Sequence, residues 1–178
     1  IIDQYNFCQV LGKSGKEPVL ALRRIKNEEY LGGAAAIAVH ISSFNNDSKL
    51  LTMIGEKNDR LNIIKSLLPK NVKLEYIKKK NSPTIYKRRF LDNVSKNKLL
   101  GVYDLNDENL KLDEEKLFLK KLEQNISKCD LVIVADYGHG FISSKAADII
   151  CKKSKFISLN AQINAANVGY HTMQKYKN

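Results

Sequence analysis

The sequence lacks the long apolar runs that would cross a membrane, because none approaches the roughly 20 residues that a transmembrane helix needs. Residues 1–5 also lack the basic and apolar regions of a secretory signal peptide. Cysteine is scarce, and Cys8, Cys129 and Cys151 stand far apart without metal-ligand spacing. These absences predict reduced thiols in a cytoplasmic protein that binds no membrane.

Motifs of several common enzyme classes are also missing. The sequence contains no Ser-His-Asp order of a hydrolase, no HExxH zinc motif and no phosphate loop with a Walker lysine. It contains no G-x-G-x-x-G run, which argues against an NAD-binding Rossmann domain. No internal repeat and no low-complexity linker divides the chain, so we expect residues 1–178 to form one domain, or most of one.

Acidic residues are outnumbered, with 19 Asp and Glu against 30 Lys and Arg, which gives a formal net charge of +11. A positive charge of this size is compatible with nucleic-acid binding. The basic residues are scattered, however, and tight clusters such as 78–80 and 152–153 have no interleaved aromatic residues. The pattern argues against a nucleic-acid partner and favours a solvated lysine-rich surface or attraction of phosphorylated substrates.

Two adjacent glycines, Gly32 and Gly33, open a run of small residues that is typical of a helix start. A helix N-terminus presents unpaired N–H groups and a partial positive charge. Together these features favour a small polar pocket for an anion or a hydroxyl-rich ligand. The alternative is a tight turn whose helix packs closely on a sheet.

The order of the elements predicts an α/β fold. Strands are predicted near 49–54, 72–77, 131–135 and 156–160, and helices near 33–44, 59–68, 113–125 and 143–152. The continuous apolar run at 131–135 is typical of a parallel sheet, and residues 1–2 are interpreted as the end of another buried strand. Segments 18–25, 84–91 and 99–103 do not fit this alternation, so we expect them to form a small β-sheet that projects as a lid.

Polar residues stand where predicted strands end, which is where open α/β sheets bind ligands. Asp3 follows the first strand and Asn160 ends the last one. Asp136 ends the 131–135 strand and precedes a loop with two glycines. A carboxylate in such a position suits sugar hydroxyls or a bound metal. The alternatives are a turn or capping role for Asp136 and a frayed chain end for Asp3.

Two cations on one predicted strand form a second candidate site. Lys87 and Arg89 are two residues apart, so their side chains project from the same face of the strand. This pair could clamp a phosphate, or it could belong to a solvated hairpin face. His139 is a further candidate acid, base or phosphate contact, whereas His40 lies in an apolar helix and is expected to be a core residue.

These pieces, in this order, resemble the ribokinase-like (PfkB) carbohydrate kinases, and most of all the heptose 7-phosphate kinase branch. The matching segments include Ile-Asp-Gln-Tyr at 2–5, Leu-Gly-Gly-Ala-Ala at 31–35 and Ala-Asp-Tyr-Gly-His-Gly at 135–140. Residues 17–20, 54–55 and 82–89 match as well, so the resemblance extends to about residue 159.

The resemblance implies a Rossmann-like α/β body, with a parallel sheet and helices on both faces, and a β-sheet lid near 17–26 and 83–103. It implies transfer of the ATP γ-phosphoryl group to a hydroxyl of a sugar or sugar phosphate, with Mg²⁺, in a homodimer that pairs through the lid. Lys87 and Arg89 would face the phosphate of the substrate. Sugar hydroxyls would be held by Asp3, Gly32, Gly33 and Asp136.

The sequence departs from the family pattern at several positions. Ala36 stands where the family usually has Asn, and His139 stands where the branch usually has Lys. Amide-rich residues 160–167 replace an expected Asp-Pro-Lys-like segment, and the Gly-Ala-Gly-Asp motif with the catalytic base does not occur. The chain therefore resembles a C-terminally truncated kinase that is inactive by itself. The alternative is a non-catalytic module for sugar-phosphate binding or dimerisation.

Overall fold

The computed structural model describes residues 1–162 and 172–176. A short 3₁₀ turn spans Thr172–Lys175. None of the helices in these ranges is long and apolar enough to cross a membrane. The remaining elements are β1 (Ile2–Lys13), β2 (Leu20–Leu31), α1 (Ala34–Ile41), β3 (Ser48–Lys57), α2 (Leu61–Leu67), β4 (Val72–Pro83), β5 (Tyr86–Asp92), β6 (Lys98–Asp104), α3 (Leu112–Ile126), β7 (Val132–Asp136), α4 (Ser144–Lys153) and β8 (Ile157–Ala161).

A four-stranded sheet in the order β2-β1-β5-β6 forms the lid. Strand β1 pairs antiparallel with β2 and parallel with β5, and β5 pairs antiparallel with β6. The polar turn between β5 and β6 forms because Asp92 Oδ1 accepts hydrogen bonds from the N–H groups of Val94 and Ser95, at 3.0 and 2.7 Å. The predicted strands of this sheet are present, together with one strand more than the sequence indicated, and the role of the sheet as a lid stays a prediction.

That additional strand, β1, corrects the interpretation of the first residues. Ile2 does not end a strand but begins one of 12 residues. Its side chain is buried with Ile54, Ile64 and Tyr86, and the strand then continues into the lid. Asp3 therefore lies within a strand, not after one. Residues 4–13 lack a clear alternation of apolar and polar side chains, and their parallel partner β5 lies about 84 positions away, as in the pair Gln4 and Arg88.

The body contains two parallel strand pairs, β3 with β4 and β7 with β8. The predicted parallel arrangement is confirmed, although the described strands form two separate pairs instead of one continuous sheet. A cavity of about 740 Å³ is lined by Leu51 and Met53 of β3 and by Ile133 and Val134 of β7. The largest core cluster joins β4, α3, β7 and α4 through Ile77, Phe118, Leu122, Ile126, Val134, Ala146 and Ile150.

Helix α1 begins directly after Gly33, as the run of small residues predicts. Its buried residues Ala35 and Ala38 pack with Leu50 of β3 and Val72 of β4. Because alanine is small, the helix axis can approach these strands closely. The expectation that His40 is a core residue is wrong: its side chain projects from another face of the helix and is exposed.

Candidate functional site

The candidate site contains an ion pair between Asp3 and Arg89, which lie on the two central strands of the lid. Asp3 lies opposite Lys87 in the parallel register of β1 and β5, and Arg89 lies two residues further along β5. The Nη1 atom of Arg89 donates a hydrogen bond to Asp3 Oδ1 at 2.5 Å. The side chains of Arg89 and Asp3 are each only 19% exposed. Arg89 therefore orients the Asp3 carboxylate with little competition from water.

The two glycines pack directly against this carboxylate. A Cβ atom on Gly32 would lie 2.2 Å from Asp3 Oδ2, a distance that real Cβ contacts do not reach. Gly33 has a φ of +58°, which disfavours any residue with a side chain, and its Cβ would meet Ile1 and Tyr137 at 3.1 and 3.2 Å. The glycine turn is therefore shaped around Asp3, and it places the start of α1 beside it.

The predicted cation pair is present on one face of β5. The Lys87 ammonium and the Arg89 guanidinium lie 5.9 and 5.8 Å from the centre of the Tyr103 ring, which belongs to the neighbouring strand β6. Burial lowers the pKa of Lys87, and the neighbouring Arg89 lowers it further, whereas Asp3 and Asp107 act in the opposite direction. Arg88 projects from the other face, where it forms a bidentate pair with Asp104 at 2.9 and 3.1 Å.

His139 reaches the same site from the loop after β7. Its Nε2 atom lies 3.3 Å from Lys87 Nζ, and its Nδ1 atom lies 2.7 Å from Asp107 Oδ1. The residue is 7% exposed. Burial lowers the pKa of His139, with a smaller contribution from the charge of Lys87, while the hydrogen bond to Asp107 opposes the shift. These contacts favour a neutral imidazole at pH 7.

Asp136 is buried at the end of β7, and its carboxylate already has partners. One oxygen forms an ion pair with Lys175 Nζ at 2.6 Å and accepts a hydrogen bond from the Tyr176 hydroxyl at 2.9 Å. The other accepts the Gly138 N–H at 3.2 Å, which is the turn role weighed as the alternative from the sequence. The predicted contact of Asp136 with sugar hydroxyls stays a prediction, since such a ligand would have to share or displace these partners.

Asn160 lies beside Ala135 in the β7–β8 register, and its amide nitrogen is 3.5 Å from the Tyr137 hydroxyl. It therefore lies near the loop that carries His139. Residues 163–167 of the predicted amide-rich segment fall outside the described residues. Within residues 1–162 and 172–176, no group of three or more His, Cys, Asp or Glu side chains could hold a metal ion.

The structure thus brings together five of the six predicted binding residues, Asp3, Gly32, Gly33, Lys87 and Arg89, and adds residues that sequence reasoning missed. Asp107 lies in the loop between β6 and α3 and had no local signal, because its partner His139 is 32 positions away. Tyr103 could have been found from strand alternation, since it is the direct register partner of Lys87. The result is a cluster of two cations, two carboxylates, one imidazole and one aromatic ring beside a glycine turn.

The sequence is similar to those of curated bifunctional proteins. The chain is 24% identical over 167 residues to the bifunctional protein HldE of Campylobacter jejuni, covering 89% of this chain and 32% of that protein. It is 32% identical over 144 residues to HldE of Actinobacillus succinogenes, covering 80% of this chain and 29% of that protein. The chain thus spans about a third of the length of these curated relatives. No family model matches it.

Among solved structures, phosphofructokinase-2 from Escherichia coli in complex with fructose-6-phosphate superposes with a TM-score of 0.66 at 13% identity. The match covers 94% of this chain and 53% of that one. The chain has the fold of the ribokinase-like carbohydrate kinases. Its sequence relatives include the HldE proteins that the heptose 7-phosphate kinase resemblance implied.

Proposed function

We propose that this chain forms the acceptor side of an ATP-dependent kinase that phosphorylates a sugar or sugar phosphate, with a heptose phosphate as the model substrate. The single observation that carries the proposal is the placement of Lys87 and Arg89 on one face of the lid, beside the Asp3 carboxylate and the glycine turn. Two cations suit a phosphate group, and a fixed carboxylate suits sugar hydroxyls. Relatedness to HldE proteins supports the same class of activity.

In this proposal each residue has a distinct part. Lys87 and Arg89 bind the phosphate of the acceptor, Asp3 accepts hydrogen bonds from its hydroxyls, and Gly32 with Gly33 allow the close approach of the sugar. Such binding places the acceptor hydroxyl for attack, and positioning supplies much of the catalysis in phosphoryl transfer. ATP with Mg²⁺ would supply the phosphoryl group. We assign the described residues to the acceptor side of the proposed site, because Lys87, Arg89 and Asp3 are the groups that suit a sugar phosphate.

A coupled assay of the full gene product tests the kinase activity directly. The protein is incubated with ATP, Mg²⁺ and a panel of hexose and heptose phosphates, and ADP release and new phosphoesters are measured by enzyme coupling and ³¹P NMR. We expect Lys87→Ala and Arg89→Ala to raise the acceptor KM roughly tenfold or more, because each removes a charge-assisted hydrogen bond. Lys98→Ala, an exposed charge on the adjacent strand β6, is the matched control.

The outcomes separate the proposal from its alternative. Absence of binding to both ATP and every sugar phosphate would overturn the kinase assignment. Binding of a sugar phosphate without any nucleotide binding would instead establish the non-catalytic sugar-phosphate module. Equal KM values in Lys98→Ala and Lys87→Ala would remove the lid cations from the substrate site.

We further propose a cytoplasmic homodimer that pairs through the lid. The support is a set of exposed apolar side chains on β1, β2 and β6, of which β2 and β6 are the edge strands: Val10, Leu11, Leu20, Ile25, Leu100 and Val102. Sedimentation equilibrium of the full gene product should show a dimer that Leu100→Glu and Val102→Glu together dissociate. Phe44→Glu, a change at a still more exposed apolar residue outside the lid, should leave it intact. A monomeric wild-type protein would refute this arrangement.

A further inference from the structure

The imidazole of His139 uses both ring nitrogens within the protein. Lys87 approaches Nε2 at 3.3 Å, and Asp107 approaches Nδ1 at 2.7 Å. An ammonium can only donate and a carboxylate can only accept, so the two partners dictate one tautomer. Nδ1 carries the proton and donates it to Asp107, while the lone pair of Nε2 accepts from Lys87. With 7% exposure and both nitrogens engaged, His139 can reach a ligand only through Lys87.

The Asp107 end of this chain of contacts is anchored in the body. Lys79 is buried, and its Nζ donates hydrogen bonds to the carbonyl oxygens of Asn106 at 2.8 Å and Glu108 at 2.5 Å, on either side of Asp107. The loop of His139 packs on the same segment, because a Cβ on Gly140 would lie 2.0 Å from the Glu108 carbonyl oxygen. The backbone at Gly140 thus packs directly on the backbone at Glu108. Both members of the His139–Asp107 pair are therefore fixed before any ligand binds.

We propose that His139 is a positioning residue for Lys87: with its ring fixed by Asp107, it accepts a hydrogen bond from the Lys87 ammonium and directs that cation toward the phosphate of the acceptor. The inference rests on the proposed function, because it takes a sugar phosphate as the ligand of Lys87. In this proposal the Asp107–His139–Lys87 contacts take part in ligand recognition. A purely structural role would mean that they only hold two loops together.

Electrostatics explains why an imidazole suits this position. The charged side chains that face His139 are Asp107 and Lys87, and those that face Lys87 are Asp3, Arg89 and Asp107. A second cation at 139 would repel Lys87 at this distance, whereas a neutral imidazole adds an acceptor without adding charge. Two of the groups near Lys87, Asp3 and Asp107, are anionic, and they oppose the lowering of its pKa by burial.

The tautomer is the first test, and it does not depend on any activity. Two-bond ¹H–¹⁵N correlation spectra of the full gene product at pH 7.5 should show His139 with a protonated Nδ1 and an unprotonated Nε2. Loss of one set of signals in His139→Gln assigns them, and His40→Gln, which changes an exposed histidine, is the matched control. A protonated Nε2 would overturn the proposal, because that atom could not accept from Lys87.

The second test is a double-mutant cycle that uses fructose 6-phosphate as the probe and fructose as the control ligand. We expect Lys87→Ala and His139→Ala each to weaken fructose 6-phosphate binding about tenfold in calorimetry, since a well-aimed charged hydrogen bond is lost in both. In the Lys87→Ala background, His139→Ala should add almost nothing. His139→Gln, whose amide oxygen can accept from Lys87, should recover part of the affinity, and fructose binding should not change.

Each outcome decides a different statement. Additive losses in the cycle, or equal losses for fructose, would overturn the positioning role and leave a structural one. If the wild-type protein does not bind fructose 6-phosphate or inorganic phosphate, the phosphate role of Lys87 fails and the proposal fails with it. If phosphate binding follows the cycle but no ATP is turned over, the positioning role stands and the kinase assignment falls.

Discussion

Replacement of Gly32 by alanine tests whether the glycine turn is shaped around Asp3. The new Cβ atom would lie 2.2 Å from Asp3 Oδ2, and Cβ contacts below 3.0 Å essentially do not occur, so the carboxylate must move by at least 0.8 Å. A shift of that size lengthens or bends its 2.5 Å hydrogen bond with Arg89 and so weakens it. Because both side chains keep about a fifth of their exposure, water compensates part of the loss.

The expected cost follows from that contact. A hydrogen bond between charged groups contributes roughly 1.5–3 kcal/mol, and allowing for the partial exposure leaves about 1–2 kcal/mol. We therefore expect Gly32→Ala to lower the free energy of unfolding by about that amount in urea denaturation. We also expect it to raise the acceptor KM of the full gene product about tenfold, since each 1.4 kcal/mol corresponds to roughly one factor of ten.

The matched control is Gly15→Ala. Its Cβ would have no neighbour within 4 Å, and the substitution removes the same backbone freedom from the unfolded chain. If Gly32→Ala unfolds at the same urea concentration as Gly15→Ala and binds the acceptor equally well, Asp3 does not lie against the glycine turn in solution. The proposed geometry of the site, in which the glycine turn packs on the Asp3 carboxylate, would then be wrong.

Three further predictions concern the supports of the site. Gly55→Ala should lower the free energy of unfolding by about 3 kcal/mol or more. The nearest atoms to the new Cβ would be backbone atoms of residues 82–84, at 2.1 to 2.3 Å. A denaturation midpoint equal to that of wild type would contradict this prediction. Lys79→Met should speed amide hydrogen exchange in residues 106–108, since two carbonyls lose their buried donor, and unchanged protection would refute the anchoring role. The hydrogen bond from Arg88 lowers the pKa of Asp104, so this pair stabilises the fold above the ordinary Asp pKa near 3.8 and loses that effect as the pH falls through the lowered value. The stability difference between wild type and Arg88→Ala should therefore shrink in acid, and a constant difference down to pH 2 would show that the ion pair contributes nothing.

The sequence was sufficient for features that depend on neighbouring residues. The alternation of strands and helices in the second half, the turn at 92–97 and the helix start after Gly33 follow from local periodicity and turn chemistry, and each is present in the structure. Strand alternation placed Lys87 and Arg89 on one face correctly. These patterns depend on residues that are two to four positions apart, so they can be recognised without knowledge of the fold.

What the sequence did not reveal depends on contacts between distant residues. β1 forms a 12-residue strand because β2 and β5 pair with it on both sides, and neither partner is visible from residues 4–13 alone. Lys79 belongs to a run of three lysines that reads as solvated surface, yet it is buried with two carbonyl oxygens around it. Asp107 becomes part of the site only through that anchored loop.

The continuity of β1 from the core into the lid has a mechanical consequence. Ile2 is completely buried and Asp3 is the next residue, while the other end of the strand, Lys13, lies about 36 Å away at the usual rise per residue. If the lid swings about its buried root, a rotation of about 10° would displace that far end by roughly 6 Å, but Asp3 by less than about 1 Å. Because Asp3 lies close to the centre of this rotation, its carboxylate would stay nearly in place while the far end of the lid moves. A sugar bound to Asp3, as proposed, would then keep that hydrogen bond while the lid opens.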